Sequence, residues 1–302
     1  MLHSYPGEIA ALLASVCFSI GPALFTLAGR RISVGTVNRS RLLVTMILLI
    51  VPHWYFAGTL LPLDAQPERW LWLGFSGLLS LVIGDSLLFA AFALIGTRLT
   101  MLVASLMPVS SALLAWIFLG ETLSWTQITG ILVTIGGVSW VVSDRNNGSP
   151  DLQDRATDRK GLLLALGGAI IHSCGAIAAK KGLGGDFPAL SGHVIRIFVS
   201  MLIVVALMFF QGKAGKMVSE LRTQASSIKY VLVGAIFGPL TGMWLSLFAI
   251  QNTSVGIATS LTSLPPVWLL PIGFYLFKER IGVRAVLGSL VAVIGVAILF
   301  LL

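Results

Sequence analysis

The stretch SLMPVSSALLAWIFLGETLSW, residues 105–125, returns in altered form as SLPPVWLLPIGFYLFKERIGV at residues 263–283. Both copies are apolar over the length of a helix, have a proline near the start and carry one glutamate in the same place, Glu121 and Glu279. A gapless offset of 158 residues aligns the two copies. This recurrence indicates an internal duplication, which determines how the helices of the chain are grouped.

The alignment extends well beyond this stretch. The offset of 158 pairs Gly84 with Gly242, Gly130 with Gly288, Gly137 with Gly295 and Val138 with Val296, and slightly smaller offsets pair Arg41 with Arg196, Ser19 with Ser173 and Gly21 with Gly175. Each identity is weak alone, but ordered matches over most of both halves are hard to obtain by chance.

The composition is that of a membrane protein. The 302 residues are 56% hydrophobic and 11% charged, with a mean hydropathy of +0.94, whereas soluble domains are about one quarter charged. The apolar runs are continuous and about 20 residues long, which predicts transmembrane helices and not barrel strands. Ten such runs are predicted near residues 8–29, 40–58, 70–94, 98–119, 123–142, 161–182, 190–210, 229–250, 253–277 and 281–301.

A polar connector, residues 144–160, separates a first repeat, 1–143, from a second repeat, 161–302. Each repeat contains five predicted spans. Because five is odd, the second repeat enters the membrane from the opposite side. The predicted fold class is an all-α integral membrane protein of ten transmembrane helices, arranged as two inverted-topology five-helix repeats.

The positive charges predict the orientation. Lys and Arg are concentrated in the odd-numbered loops, and the even-numbered loops hold only Arg69, Lys180 and Lys181. We therefore expect a multi-pass protein of the cell inner membrane, with cytoplasmic odd-numbered loops and both termini outside. This bias accounts for the formal net charge of +8, so no nucleic-acid partner is required. The two cysteines form no metal-binding pattern, and we expect neither a metal nor a cofactor.

Two longer segments, residues 83–138 and 246–299, resemble the two repeats of the EamA-type drug/metabolite transporter superfamily. The features that carry this resemblance are the proline in the fourth helix, the Gly-Glu at its end and the glycine-bearing fifth helix. The resemblance implies a secondary carrier, commonly an exporter, whose central cavity is lined mainly by helices 1, 3, 4, 6, 8 and 9. Members move amino acids, other small metabolites, sugars and drugs, so the resemblance does not identify a substrate.

Two ionisable residues lie near the middle of predicted spans. Asp85 could couple transport to protons or bind a substrate amine, or it could be a structural acid hydrogen-bonded to another helix. His172 could relay protons or donate to a substrate carboxylate, or it could be a neutral histidine bonded to a backbone carbonyl. Both are candidates for coupling and for substrate binding.

Other residues complete the candidate site. Pro108 and Pro266 are predicted to kink helices four and nine and to act as hinges. Arg41 and Arg196 are interpreted as interfacial residues with snorkelling side chains, and Glu121 as an architectural residue beside a capping box, Ser124–Gln127. The remaining substrate-binding candidates are Ser19, Ser105, Ser173, Trp244, Gln251 and Ser263.

The leading functional prediction is a secondary transporter of small organic metabolites such as amino acids or drugs. It would work by alternating access in the lipid bilayer, with or without proton coupling, as a monomer or a homodimer. The sequence has no ATP-binding P-loop and no HExxH or GxSxG motif, which argues against a pump and against a membrane enzyme. A channel or a lipid-linked-substrate flippase remains compatible with the repeat.

Overall fold

A computed structural model describes residues 6–119, 124–147, 152–184, 187–252, 261–277 and 282–301, and these ranges contain no β-strand. Six described helices are long and apolar enough to cross a membrane: Pro6–Gly29, Val34–Ala57, Pro67–Ala104, Ala156–Gly182, Ala189–Phe210 and Ser226–Ala249. Two shorter apolar helices are Ile128–Trp140 and Val286–Ile298. The described chain is therefore an all-helical, multi-span structure.

We number the helices along the chain. They are α1 (Pro6–Gly29), α2 (Val34–Ala57), α3 (Pro67–Gly77), α4 (Asp85–Ala104), α5 (Met107–Leu119), α6 (Trp125–Asn147), α7 (Leu152–Gly182), α8 (Ala189–Phe210), α9 (Ala214–Thr223), α10 (Ser226–Ala235), α11 (Met243–Asn252), α12 (Pro265–Phe277) and α13 (Val283–Leu301). Two π-helical segments, Leu78–Gly84 and Ile236–Gly242, join α3 to α4 and α10 to α11.

Local sequence signals set several of these ends. The hydroxyl of Ser33 accepts a hydrogen bond from the backbone N–H of Thr36 and caps the start of α2. Gly58, with φ 70°, closes the same helix in a left-handed conformation that a glycine adopts without steric cost. Pro67 occupies the first position of α3, where its missing N–H is not needed.

The helix bounds repeat along the chain with the offset found in the sequence. The starts of α4, α5 and α6 at residues 85, 107 and 125 are matched by those of α11, α12 and α13 at 243, 265 and 283. The two π-helical segments coincide under the same offset. Each segment widens one turn, so that the backbone N–H of Asp85 reaches the carbonyl of Ser80, and that of Met243 reaches the carbonyl of Gly238. Both halves thus share an irregularity that is frequent at functional sites.

One glycine interrupts the longest apolar run. Residues 67–104 would form a helix about 57 Å long, nearly twice the thickness of a bilayer core. Gly96 has φ 78° and ψ 162°, a conformation that ends the helical path. The break lies between the runs predicted at 70–94 and 98–119, so the sequence placed this boundary correctly.

The two candidate hinge prolines do not lie inside continuous helices, and the predicted kinks are wrong in that respect. Pro108 is the second residue of α5, and Pro266 is the second residue of α12. Two-residue turns, 105–106 and 263–264, precede them. The missing proline N–H falls in the first helical turn, where no backbone acceptor is lost. The hinge role itself stays a prediction.

The predicted polar connector, 144–160, is mostly helical. Helix α6 continues to Asn147 and α7 begins at Leu152. The Arg, Lys, Gln, Leu and Ala residues of this interval are good helix formers, so both helices extend past the apolar region. Glu121 and Glu279 lie outside the described residues.

Helices α6 and α13 pack together through small residues. A Cβ on Gly137 would lie 2.5 Å from the backbone nitrogen of Ala292, and a Cβ on Gly295 would lie 2.4 Å from that of Thr134. Such distances are too short for a methyl group, so only glycine permits this approach of the two backbones. The neighbouring Gly136 has open space where its Cβ would be.

This packing predicts different results for two adjacent alanine substitutions. Gly137→Ala should lower the free energy of unfolding by about 1–3 kcal/mol, because the methyl group overpacks the contact. Gly136→Ala should leave it unchanged or raise it slightly, since alanine favours helix more than glycine does. Thermal unfolding of both purified variants in detergent measures the difference. Equal melting temperatures would contradict the packing.

Helix α9, in the second half of the chain, is hydrogen-bonded to the start of α2 in the first half. Glu220 accepts hydrogen bonds at 2.9 Å from the backbone N–H and from the hydroxyl of Ser33, at the start of α2. Partial burial raises the pKa of the Glu220 carboxyl. The Ser33 N–H, the hydroxyls of Thr36 and Ser33 and the charge of Lys216 outweigh that effect and hold the pKa below its ordinary value of 4.5.

This contact predicts a pH-dependent contribution to stability. A carboxyl whose pKa is depressed by folding stabilises the fold at neutral pH and loses that effect as the pH falls through the lowered pKa. Glu220→Gln should cost about 1 kcal/mol at pH 7, because the side chain is partly exposed, and should cost nothing at a pH below the lowered pKa. The control is Glu68→Gln, at an exposed acid in the first turn of α3. A cost that stays constant with pH would refute the assignment.

Candidate functional site

A charged network lies between helices α2, α4 and α7. Asp85 follows directly after the first π-helical segment. One of its carboxylate oxygens is ion-paired with Arg41 of α2, and the other lies 3.1 Å from Nε2 of His172 on α7. Because an ionised carboxylate only accepts, Nε2 carries the hydrogen of this bond. The side chains of Asp85 and His172 are only 13% and 16% exposed.

Arg41 is held by polar and aromatic neighbours. Its Nε donates to Oδ1 of Asn38 at 2.9 Å, one turn earlier on α2. Its guanidinium carbon lies 5.1 Å from the ring centre of Phe89 and 5.8 Å from that of Phe25, distances suited to cation–π attraction. The interfacial placement predicted for Arg41 is therefore wrong: the residue is 4% exposed, because a partner on another helix compensates its charge.

The same two aromatic rings border a cavity of about 400 Å³, a volume in the range of small-molecule sites. Its polar lining includes Thr26 and Thr97, whose hydroxyls are 2.6 Å apart, and it reaches Arg30. Phe25 and Phe89 thus line the cavity and also lie against Arg41 of the charged network.

Arg196 is the repeat counterpart of Arg41, and it is also buried. It is 3% exposed, so its predicted interfacial placement is wrong too. Its Nη1 lies 3.7 Å from the sulfur of Met243, and its Nε has no hydrogen-bond partner among the described residues. One turn earlier on α8, His193 is fully buried, and its Nε2 donates to the carbonyl of Pro239 at 2.6 Å.

The predicted serines mostly satisfy their own helices. Ser19 donates to the carbonyl of Ser15, and Ser105 donates to the carbonyl of Leu102. Ser173 is different, because it also donates to the carbonyl of Met107 on α5 at 2.9 Å. Such back-bonding leaves the first two hydroxyls little capacity to reach a ligand.

Two other candidates are half-buried, and the side chain of a third lies outside the described residues. Trp244 is half-buried, and its ring centre lies 5.8 Å from that of Phe56. Ser263 is half-buried in the turn before α12. Gln251 belongs to α11, but its side chain lies outside the described residues.

The sequence pattern brought Asp85 and His172 into the candidate site, and the structure places them in contact. It missed Arg41, Asn38, Arg196 and His193. The pairing of Arg41 with Arg196 across the duplication was the available signal, since two charged residues kept at equivalent places inside apolar helices need a common reason. Among the described residues, no group of three or more metal-binding side chains is present.

Comparisons with known proteins agree with this architecture. A family model, the EamA-like transporter family, matches residues 5–143 and again residues 159–301. An uncharacterized transporter of Archaeoglobus fulgidus is 24% identical over 294 residues, which are 97% of this chain and 97% of that protein. One solved crystal structure shares the fold with a TM-score of 0.67 and 18% identity, over 99% of this chain and 98% of the other.

The two family matches together span nearly the whole chain and include every residue of the charged network. Asp85 and Arg41 lie in the first match and His172 lies in the second. The family and the related protein point to a membrane transporter rather than to an enzyme. The chain belongs to the EamA-like transporter family and is a multi-pass membrane protein.

Proposed function

We propose that the protein is a secondary transporter that exports small organic metabolites across the cell inner membrane and couples their movement to protons. The observation that carries this proposal is the contact of Asp85 with His172 at 3.1 Å. The two residues belong to different copies of the family repeat. Because both side chains can gain or lose a proton, the strength of this contact between the two halves depends on the charge of the site.

The proposed transport cycle is alternating access between two inverted five-helix repeats. The shared offset of the helix bounds supports the duplication, and the Lys and Arg bias of the loops supports the opposite insertion of the two copies. In this topology Glu220 and Ser33 meet on the cytoplasmic side. Their hydrogen bonds hold one half against the other there, so opening toward the cytoplasm requires that contact to break.

The proposed coupling uses the charge balance of the network. When Asp85 is ionised, its negative charge compensates the positive charge of Arg41, and its second oxygen binds His172 of the other half. A proton taken up by Asp85 removes its negative charge and weakens its attraction to Arg41 and to His172. Since moving charge through an apolar interior is costly, each protonation state favours a different arrangement of the halves.

This mechanism predicts that proton-driven flux depends on Asp85. The protein is reconstituted in liposomes that contain a pH-sensitive dye, a proton gradient is imposed, and pooled small metabolites are added. The wild type should show saturable, metabolite-dependent proton movement, which Asp85→Asn should abolish and His172→Gln should reduce at least about tenfold. Asp64→Asn, at an exposed position, is the matched control. Full gradient-driven flux in Asp85→Asn would disprove the coupling, and flux that never saturates would indicate a channel.

The ion pair also predicts a pattern of stabilities. Asp85→Asn alone should lower the free energy of unfolding by about 3–5 kcal/mol, because it leaves the buried charge of Arg41 without a partner. The double variant Arg41→Gln/Asp85→Asn should recover more than half of that loss. Thermal unfolding in detergent compares the single and double variants. Strictly additive losses would show that the two side chains do not depend on each other.

A further inference from the structure

The two halves carry an arginine at equivalent places, but the acid of the first half, Asp85, has a methionine as its counterpart. The pairing of Arg41 with Arg196 has an offset of 155 residues, that of Asp85 with Met243 an offset of 158, and that of Phe18 with His172 an offset of 154. The surroundings correspond as well. A Cβ on Gly84 would lie 2.7 Å from Cδ2 of His172, and a Cβ on its counterpart Gly242 would lie 3.0 Å from Cε1 of Phe18.

The two arginines therefore occupy equivalent places with different partners. Arg41 has a carboxylate beside it. Arg196, at the equivalent position of the other half, has the thioether sulfur of Met243 at 3.7 Å as its side-chain partner among the described residues. A neutral thioether is a weak hydrogen-bond acceptor and offers no charge compensation. A buried guanidinium in that setting loses its hydration without a carboxylate at hydrogen-bond distance to replace it.

The net charge of the region around Arg196 also favours a negatively charged ligand. Arg41 and Arg196 contribute two positive charges, and Asp85, which also interacts electrostatically with Arg196, contributes one negative charge. These three side chains together carry one excess positive charge. A single monovalent anion would balance it.

A second buried polar atom without a partner among the described residues belongs to His193, one turn earlier on α8. His193 uses Nε2–H to donate to the carbonyl of Pro239, which leaves Nδ1 as a bare acceptor. Neither Nδ1 of His193 nor Nε of Arg196 has a partner among the described residues, although both are fully buried. Buried polar groups are normally satisfied. A bare acceptor such as Nδ1 cannot bond a carboxylate, so the unpartnered Nε–H of Arg196 is the atom that favours an anionic ligand here.

We propose that Arg196 binds the carboxylate of a small organic monoanion, which takes the place of the acid missing from the second repeat. This inference rests on the proposed transport function and specifies its substrate class. A planar carboxylate matches the guanidinium fork, and its single charge matches the local excess. Met243 provides an apolar surface beside the charge, so the remainder of the anion is apolar.

A binding experiment on the purified, detergent-solubilised protein tests this assignment. The probes are acetate, benzoate and phenylacetate, each compared with its neutral alcohol, and the readout is the shift in melting temperature with probe concentration. At least one carboxylate should stabilise the wild type, and its alcohol should not. Arg196→Met should weaken that response at least about tenfold while keeping or raising the melting temperature without probe, because it removes an uncompensated charge.

Met243 supplies the sharpest pair of variants. Met243→Asp gives Arg196 an internal carboxylate, as Arg41 has, and should abolish the response to added carboxylates without lowering stability. Met243→Leu keeps the apolar character and should retain the response. Absence of any Arg196-dependent carboxylate response in the wild type, or an equal response in all four proteins, overturns the inference. Because binding in detergent needs no flux, failure of transport in liposomes is a separate result.

Discussion

A guanidinium and a carboxylate cannot be taken separately into an apolar helix bundle, because each would lose about several kcal/mol of hydration that nothing there replaces. Arg41 and Asp85 enter together, and the surrounding groups are arranged around that pair. Asn38 binds the free Nε, His172 binds the second carboxylate oxygen, and aromatic rings cover the guanidinium. Because Asp85 must contact Arg41 and His172, helices α2, α4 and α7 must be neighbours at this level of the bundle.

Much of the fold could be predicted from the sequence, for a simple physical reason. In a membrane each helix satisfies its own backbone, so the length and hydrophobicity of a run are nearly sufficient to find it. The break at Gly96 was found in this way. The position of Pro108 was not, because proline is tolerated both at a kink and in a first turn. The extent of α6 and α7 was also missed, since a helix need not end where the apolar run ends.

The candidate site was only partly predictable. The cost of burying an ionisable group was enough to select Asp85 and His172, but a contact across 87 residues of chain leaves no local pattern. Arg41 was misplaced because its span was expected to begin at residue 40. Helix α2 begins at Val34, which places Arg41 two turns inside the bundle. Because the predicted helix start was too late in the chain, Arg41 was expected at the membrane surface, whereas it lies inside the bundle.

The contact between α6 and α13 has a genetic consequence. Gly137 approaches Ala292, and Gly295 approaches Thr134, so each contact is the image of the other under the repeat offset. This is the geometry of a two-fold dimer interface, in which a residue and its copy meet the same surface. In a true homodimer one codon would specify both contacts. Once the halves are fused they can mutate independently, and a position such as 243 is free to lose what position 85 keeps.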